Sequence, residues 1–270
     1  MTVASHGWVH LAPWRWDPDS GQLARVETIE DRLGTVAVSQ RHPGAVIVIW
    51  RGLAATDAAE IATRVRRWLS ADWEPEAAIE ALPDAAVLIE RGGGRLLRGS
   101  SFYEDFIKTV LTINANWSAT CRMAAALVRE PGGGSFPGPL ALVDYGEERL
   151  RERAKLGFRA RTVVAATRQM LDDGAITAGG NGAPDRLAHD YLIGLSGIGP
   201  YAAAHCRVLL HDFSRIPVDS SVLAYLRAQY GCDAAEFVAG RSEWGAYLAL
   251  GYRMVRLREK LAQAALPSSK

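Results

Sequence analysis

Only three cysteines, Cys121, Cys206 and Cys232, are scattered over 270 residues. An odd, scattered set excludes a disulfide framework, and no spacing suits zinc or an iron–sulfur cluster. The thiols therefore read as reduced, in a cytoplasmic protein. Lysine is nearly as scarce: Lys108, Lys155, Lys260 and Lys270 are the only four. No apolar run approaches the ~18 residues of a membrane span, and the N-terminus lacks a signal-peptide pattern. A P-loop, a dinucleotide fingerprint and metal-ligand motifs are missing too. There is no internal repeat, and a monomer is expected.

Net charge is only +1, which by itself argues against a polyanionic partner. Its distribution argues the other way. Residues 1–90 carry a net −5 and residues 91–270 a net +6, so the cationic excess lies in one part of the chain, as a phosphate-tracking surface needs. Arg149, Arg151, Arg153, Lys155, Arg159 and Arg161 are its densest cluster. With Glu147, Glu148 and Glu152 among them, they equally suit a solvated helix face.

The first third reads as strands and turns. Trp8–Leu11 and Val36–Gln40 alternate, and Ala45–Trp50 is a β-branched run bounded by Pro43-Gly44 and Arg51-Gly52. Thr56 or Asp57 then caps a helix with Ile61, Val65, Trp68 and Leu69 on one face. Arg91-Gly92-Gly93-Gly94 marks a boundary, and from Ser101 onward the pattern is helical. The expected architecture is α+β: an antiparallel sheet domain over 1–95 and a mainly helical domain over 96–270.

The most informative stretch is Leu195-Ser196-Gly197-Ile198-Gly199-Pro200-Tyr201-Ala202-Ala203, followed by Pro217-Val218-Asp219. Pro184-Asp185 looks like a helix start, with Leu187, Tyr191, Leu192 and Leu195 at helical spacing. Pro200 suits a first helical position. Two glycines between these helices permit a tight turn and leave room for a phosphate against the backbone, where helix-start amides and the helix dipole favour an anion. Such a device touches the nucleic-acid backbone and reads no base.

This stretch resembles the helix–hairpin–helix (HhH-GPD) DNA glycosylase superfamily, with its hairpin (here near 187–210), Gly/Pro-rich loop and aspartate. Leu156-Gly157-Phe158-Arg159-Ala160-Arg161 looks like the family's Gly–hydrophobic–Arg segment. Phe102–Phe106 through Thr112-Ile113-Asn114-Ala115-Asn116-Trp117 looks like its long early helix and the polar turn that ends it. The chain is most similar to the 3-methyladenine and 8-oxoguanine branches that lack an iron–sulfur cluster. A subgroup with an aromatic in place of the family's lysine matches it best in detail.

The resemblance implies site residues. Asp219, 18 residues beyond Tyr201, would be the catalytic carboxylate that stabilises positive charge on the sugar and positions water. It is equally a good N-cap for the helix that follows, and the two roles are compatible. Tyr201 stands where bifunctional members carry a lysine. A tyrosine forms no Schiff base, and none of the four lysines lies near the hairpin, so a monofunctional hydrolase is expected. Tyr201, His205 and Trp117 would line the base pocket, although His205 also suits a buried, satisfied histidine and Trp117 a core residue. Asn114 or Asn116 would fill the gap left by a flipped base, or else form the turn and cap a helix. Gly197, Ile198, Gly199 and Ala202 would meet the DNA backbone. Main-chain carbonyls of Ile193, Leu195 and Ile198 would hold a K+ or Na+ ion, and no other cofactor is required.

Where the 8-oxoguanine branch offers a glutamine and a phenylalanine to the base, this chain has Ala246 and Leu250. An alkylated purine in double-stranded DNA, with its weakened glycosidic bond, is therefore the expected substrate. The alternatives are an 8-oxoguanine-type enzyme, a non-catalytic DNA-binding module, or an enzyme acting on a free nucleoside or RNA base.

Overall fold

The computed structural model describes residues 1–265 apart from Pro43. Pro43, taken above as one edge of a strand, and Lys270 lie outside the described residues. Strands β1 (Arg15–Asp17), β2 (Gln22–Ile29), β3 (Arg32–His42) and β4 (Ala45–Arg51) form one antiparallel sheet in sequential order. Val36 and Val38 point into the core, as alternation predicts. Trp8–Leu11 departs from expectation. Trp8–His10 is a single 3-10 turn, which buries Trp8, Val9 and Leu11 together. The apolar–polar alternation that suggested a strand also fits one tight turn with three of four residues inward.

Helix α1 (Ala58–Trp68) buries Ile61, Val65 and Trp68 at helical spacing. Asp57 precedes it, but its carboxylate bonds the Ala54 amide and Arg32 rather than capping the helix. Short helices α2 (Glu76–Ala81) and α3 (Ala86–Glu90) follow. The glycine turn after α3 is packed rather than loose: a Cβ on Gly94 would lie 2.8 Å from Leu250 and 2.9 Å from Trp73.

The helical part comprises α4 (Phe102–Thr112), α5 (Trp117–Arg129), α6 (Pro139–Tyr145), α7 (Glu147–Glu152), α8 (Arg159–Asp172), α9 (His189–Gly194), α10 (Pro200–Leu209), α11 (Ser220–Tyr230), α12 (Ala234–Ala239) and α13 (Leu248–Ala265). Helix α4 is its axis, buried from Phe102 to Leu111. That burial takes Glu104, Asp105 and Lys108 with it, and buried charge is tolerated only when paired. Arg25 of the sheet meets both oxygens of Glu104 at 3.0 and 2.8 Å, Lys108 lies 2.7 Å from the same carboxylate, and Arg67 holds Asp105 at 2.6 Å. The sheet is thus clamped onto α4 by ions as well as by apolar packing. At the other end of the chain, α13 returns to pack on α3. None of the described helices is long and apolar enough to cross a membrane.

Candidate active site and nucleic-acid interface

The hairpin forms between α9 and α10. The first helix is shorter than predicted: Pro184–Arg186 is a 3-10 turn, Leu187 and Ala188 leave helical geometry, and α9 begins only at His189. Arg207 of α10 ties this break down by donating to the carbonyls of Pro184 and Leu187. Gly197 has φ +79°, and a Cβ there would overlap Thr162 Oγ1 and lie 3.1 Å from Thr162 Cγ2 on α8. Gly199 is the N-cap of α10 and offers no side-chain acceptor. Pro200 has no amide hydrogen, and the amides of Tyr201 and Ala202, with no turn of helix before them, have no backbone acceptor among the described residues, the situation in which a helix start favours an anion. The side chains of Ile198 and Ala202 are buried, which leaves only their main-chain groups for a ligand.

Asp219 is the N-cap of α11. Its Oδ1 accepts from the Val222 amide and from Ser221 Oγ, both at 2.8 Å. Its Oδ2 takes no hydrogen bond among the described residues. Capping thereby fixes the carboxylate while leaving one oxygen for chemistry. Ser221 and Val222 line a cleft of about 430 Å³. The negative charge of Asp219 reaches Tyr201, His205 and Tyr252, opposing ionisation of the two phenols and favouring protonation of the histidine. Tyr201 is the second residue of α10, so the charge of Asp219 is felt at the amino end of the hairpin's second helix.

Tyr201 and His205 stack with ring centres 5.9 Å apart. Burial, chiefly, raises the Tyr201 phenol above its ordinary range. The His205 imidazole is pushed down to about 4, first by burial and then by Arg253, against the pull of Asp219. It is not a satisfied core histidine, since no group among the described residues hydrogen-bonds it. Its other neighbours are Trp8, 5.9 Å away, and His6, 6.1 Å away. His6 and Arg253 were not foreseen. Both line the cleft, and Arg253 Nη2 donates to the Ser5 carbonyl at 3.0 Å.

The polar turn after α4 separates the two asparagines. Asn116 caps α5, accepting from the Ala119 amide at 2.8 Å. Asn114 is exposed and holds φ +49°, a conformation asparagine tolerates better than most residues. Arg159 fixes this turn from α8 by donating Nε to the Ile113 carbonyl at 3.0 Å and Nη2 to the same oxygen. Trp117 is 44% exposed, not core, and its ring lies over Gly7. Neither asparagine nor Trp117 lines the cleft itself, and Asp219, Tyr201 and His205, expected at the sugar and the base, are not among its lining residues either. Phe158, the hydrophobic residue of the Gly–hydrophobic–Arg segment, is 60% exposed with the Arg159 guanidinium 4.5 Å from its ring centre.

Lys108 lies on the helix that packs against the hairpin's second helix, but its neighbours Glu104 and Trp8 lie elsewhere. Its Nζ is 5.5 Å from the Trp8 ring centre. It is completely buried and bound to Glu104. The three carbonyls proposed for a monovalent cation are hard, neutral oxygens and suit such an ion. That of Leu195 also accepts the Ile198 amide at 3.1 Å, which leaves its second lone pair free.

No family model matches the chain, and no curated protein matches it in sequence. Solved structures do match in shape. A 3-methyladenine DNA glycosylase from Archaeoglobus fulgidus superimposes with TM-score 0.66 at 17% identity, over 92% of this chain and 90% of that one. MBOgg1, in complex with a low-affinity DNA ligand, gives 0.64 at 20% identity over 95% and 91%. The apo 8-oxoguanine glycosylase/lyase of Clostridium acetobutylicum gives 0.63 at 15% identity over 90% and 87%. The α+β fold is thus one that DNA glycosylases share.

Proposed function

We propose that this chain, built on a fold shared with DNA glycosylases, is a monofunctional DNA N-glycosylase that extrudes a damaged nucleotide from duplex DNA and hydrolyses its base–sugar bond. The observation that supports the reading is the capped carboxylate of Asp219, with one oxygen unbonded among the described residues, in a chain whose Gly197 turn leads into the amino end of α10. The open amides of α10 would hold a phosphate of the lesion strand. Asn114, exposed on its pinned turn, would enter the vacated stack, with Phe158 and Trp117 as apolar wedges beside it. A K+ or Na+ ion at the carbonyls of Ile193, Leu195 and Ile198 would supply positive charge between hairpin and phosphate.

In the chemical step, the C1′–N bond lengthens and positive charge builds on the sugar. Asp219 Oδ2 stabilises that charge and orients the water that adds to C1′, while the base departs with the bond's electrons and gains a proton. Tyr201 has no amine to attack C1′, and Lys108 is sealed against Glu104, so the strand would stay intact at the abasic site. The stacked Tyr201 and His205 are compatible with the alkylated purine expected from sequence. A second reading, a neutral carbonyl-bearing lesion, is favoured by Arg253 in the cleft.

The test is incubation with damaged duplexes followed by mass spectrometry of released bases and gel analysis of the strand. Base release with strand scission only after alkali is expected. Scission without alkali, trapped by borohydride, overturns the monofunctional reading. DNA binding with no base released from any duplex leaves the non-catalytic alternative.

A further inference from the structure

The cleft that Ser221 and Val222 of α11 help to line has a one-sided chemistry. Its walls carry Arg95, Arg253, Arg256 and Lys260, and no acidic side chain among the described residues. Arg256 is engaged, donating to the Tyr252 hydroxyl at 3.0 Å and lying 3.9 Å from the Tyr225 ring centre. Arg253 is not. Beyond its bond to the Ser5 carbonyl, its Nε is buried without a partner, and no carboxylate lies within ion-pair distance of it among the described residues. A buried guanidinium lacking a counterion is costly unless something else accepts its hydrogens.

His6 presents the second unpartnered group. Ser5 Oγ accepts the Leu97 amide at 3.0 Å and sits 2.8 Å from His6 Nδ1. In the tautomer that carries its ring proton on Nε2, Nδ1 accepts the serine's own proton. That Nε2 is buried and without a partner. The imidazole is held neutral, since burial, Arg253, His205 and Lys108 all lower its pKa. In that tautomer the amide–hydroxyl–imidazole chain ends in one more donor. Two residues at opposite ends of the sequence thus supply N–H groups and positive charge, with no acceptor beside them.

We propose that Arg253 and His6 select the lesion, and that the base they accept is uncharged and presents a carbonyl oxygen, as deaminated and oxidised bases do. The proposal rests on the glycosylase reading of Asp219. A carbonyl oxygen in the cleft gives the Arg253 guanidinium an acceptor through a charge-assisted bond, on the side where His6 also lines the wall. Nucleotides alkylated at purine N3 or N7 are cations, and the uncompensated Arg253 repels them at short range in a medium of low dielectric. Rejection by an unpaired charge acts against the wrong base rather than for the right one.

The experiment is single-turnover excision from matched duplexes containing uracil, hypoxanthine, 8-oxoguanine or 7-methylguanine. It compares the native chain with Arg253→Met, Arg253→Lys and His6→Phe, with binding to a duplex bearing a stable abasic analogue measured alongside. The native chain is expected to release at least one of the three carbonyl-bearing neutral bases faster than 7-methylguanine. Arg253→Met is expected to lower that release by about 100-fold, the loss of a hydrogen bond to a charged group, with abasic-analogue binding within about threefold of native. It should also narrow the ratio of neutral to cationic lesion. Arg253→Lys keeps the charge and so keeps the ratio while lowering both rates, a readout that holds if the methionine variant fails to fold. Preferential release of 7-methylguanine by the native chain, or an unchanged ratio in Arg253→Met, overturns the proposal. Abasic-analogue binding with no release of any base overturns the glycosylase reading instead, and the selection argument with it.

Discussion

Thr162 fills the space that a side chain at position 197 would need. The hydroxyl and methyl of Thr162 lie against the α-carbon face of Gly197, and Gly197 also holds φ +79°. Gly197→Ala therefore meets two penalties, a left-handed backbone worth about 1–2 kcal/mol and a clash with α8. The expected result is a destabilised hairpin and DNA affinity reduced at least about tenfold, since the open amides of α10 lose their alignment. Adding Thr162→Ala to Gly197→Ala should restore part of the stability, because it removes the clash but not the backbone penalty. Urea unfolding of the four members of this cycle checks the point, and no recovery in the double variant contradicts it.

Asp219→Asn separates capping from catalysis. Asparagine caps a helix about as well as aspartate, so stability should change by less than about 0.5 kcal/mol. The charge that would stabilise the sugar is gone, and the single-turnover rate should fall at least about 100-fold. Thermal melts and base-release assays on one preparation measure both. A variant with native turnover removes Asp219 from the mechanism.

What was legible in the sequence was local. Gly197 and Gly199, Pro200 and the Asp219 cap are each set by the backbone within a few residues, so the hairpin and the acid could be read directly. The α1 face and the alternation of β3 were legible for the same reason. What escaped depends on closure of the chain. Arg253 meets Ser5 across 248 residues, and Lys108 looked like an ordinary helix lysine until Arg25, 79 residues before Glu104, completed its ion cluster. Asn114 and Asn116 could not be told apart until Arg159 was seen to fix Ile113, which leaves one asparagine as a cap and the other exposed.

That link yields a third expectation. Arg159→Met would leave the Ile113 carbonyl without its donors, at about 1–3 kcal/mol for an acceptor losing a charged partner in a half-buried site. The turn carrying Asn114 should loosen, and base extrusion should become harder. Fluorescence of 2-aminopurine beside the lesion would report less flipping in this variant and in Asn114→Ala. Excision from single-stranded DNA, where no stack needs opening, should be nearly unaffected. Equal losses on duplex and single strand would mean that Arg159 acts on the chemical step or on folding instead.

Acid should weaken the fold in two successive windows. The pKa of His205 is lowered, chiefly by burial, from 6.5 to about 4. A histidine with a folded pKa below its unfolded one stabilises the protein above pH 6.5, and that contribution drains as pH falls from 6.5 toward 4. His6 is lowered in the same direction. Each contributes a slope of at most about 1.4 kcal/mol per pH unit, less where water reaches the ring. Glu104 behaves as a depressed acid: burial opposes its ionisation, but Arg25 and Lys108 prevail and hold it below its ordinary 4.5. Its contribution is complete above pH 4.5 and is lost only on further acidification. Urea midpoints measured from pH 8 to pH 3 should therefore fall first with the histidines and again below 4.5. His205→Gln should reduce the slope of the upper limb, leaving the share of His6 and His211, whose pKa values burial also lowers, and should not move the Glu104 limb. Glu104→Gln should flatten the lower limb, at about 3–5 kcal/mol of stability at neutral pH, because Arg25 and Lys108 then stay buried beside a neutral amide.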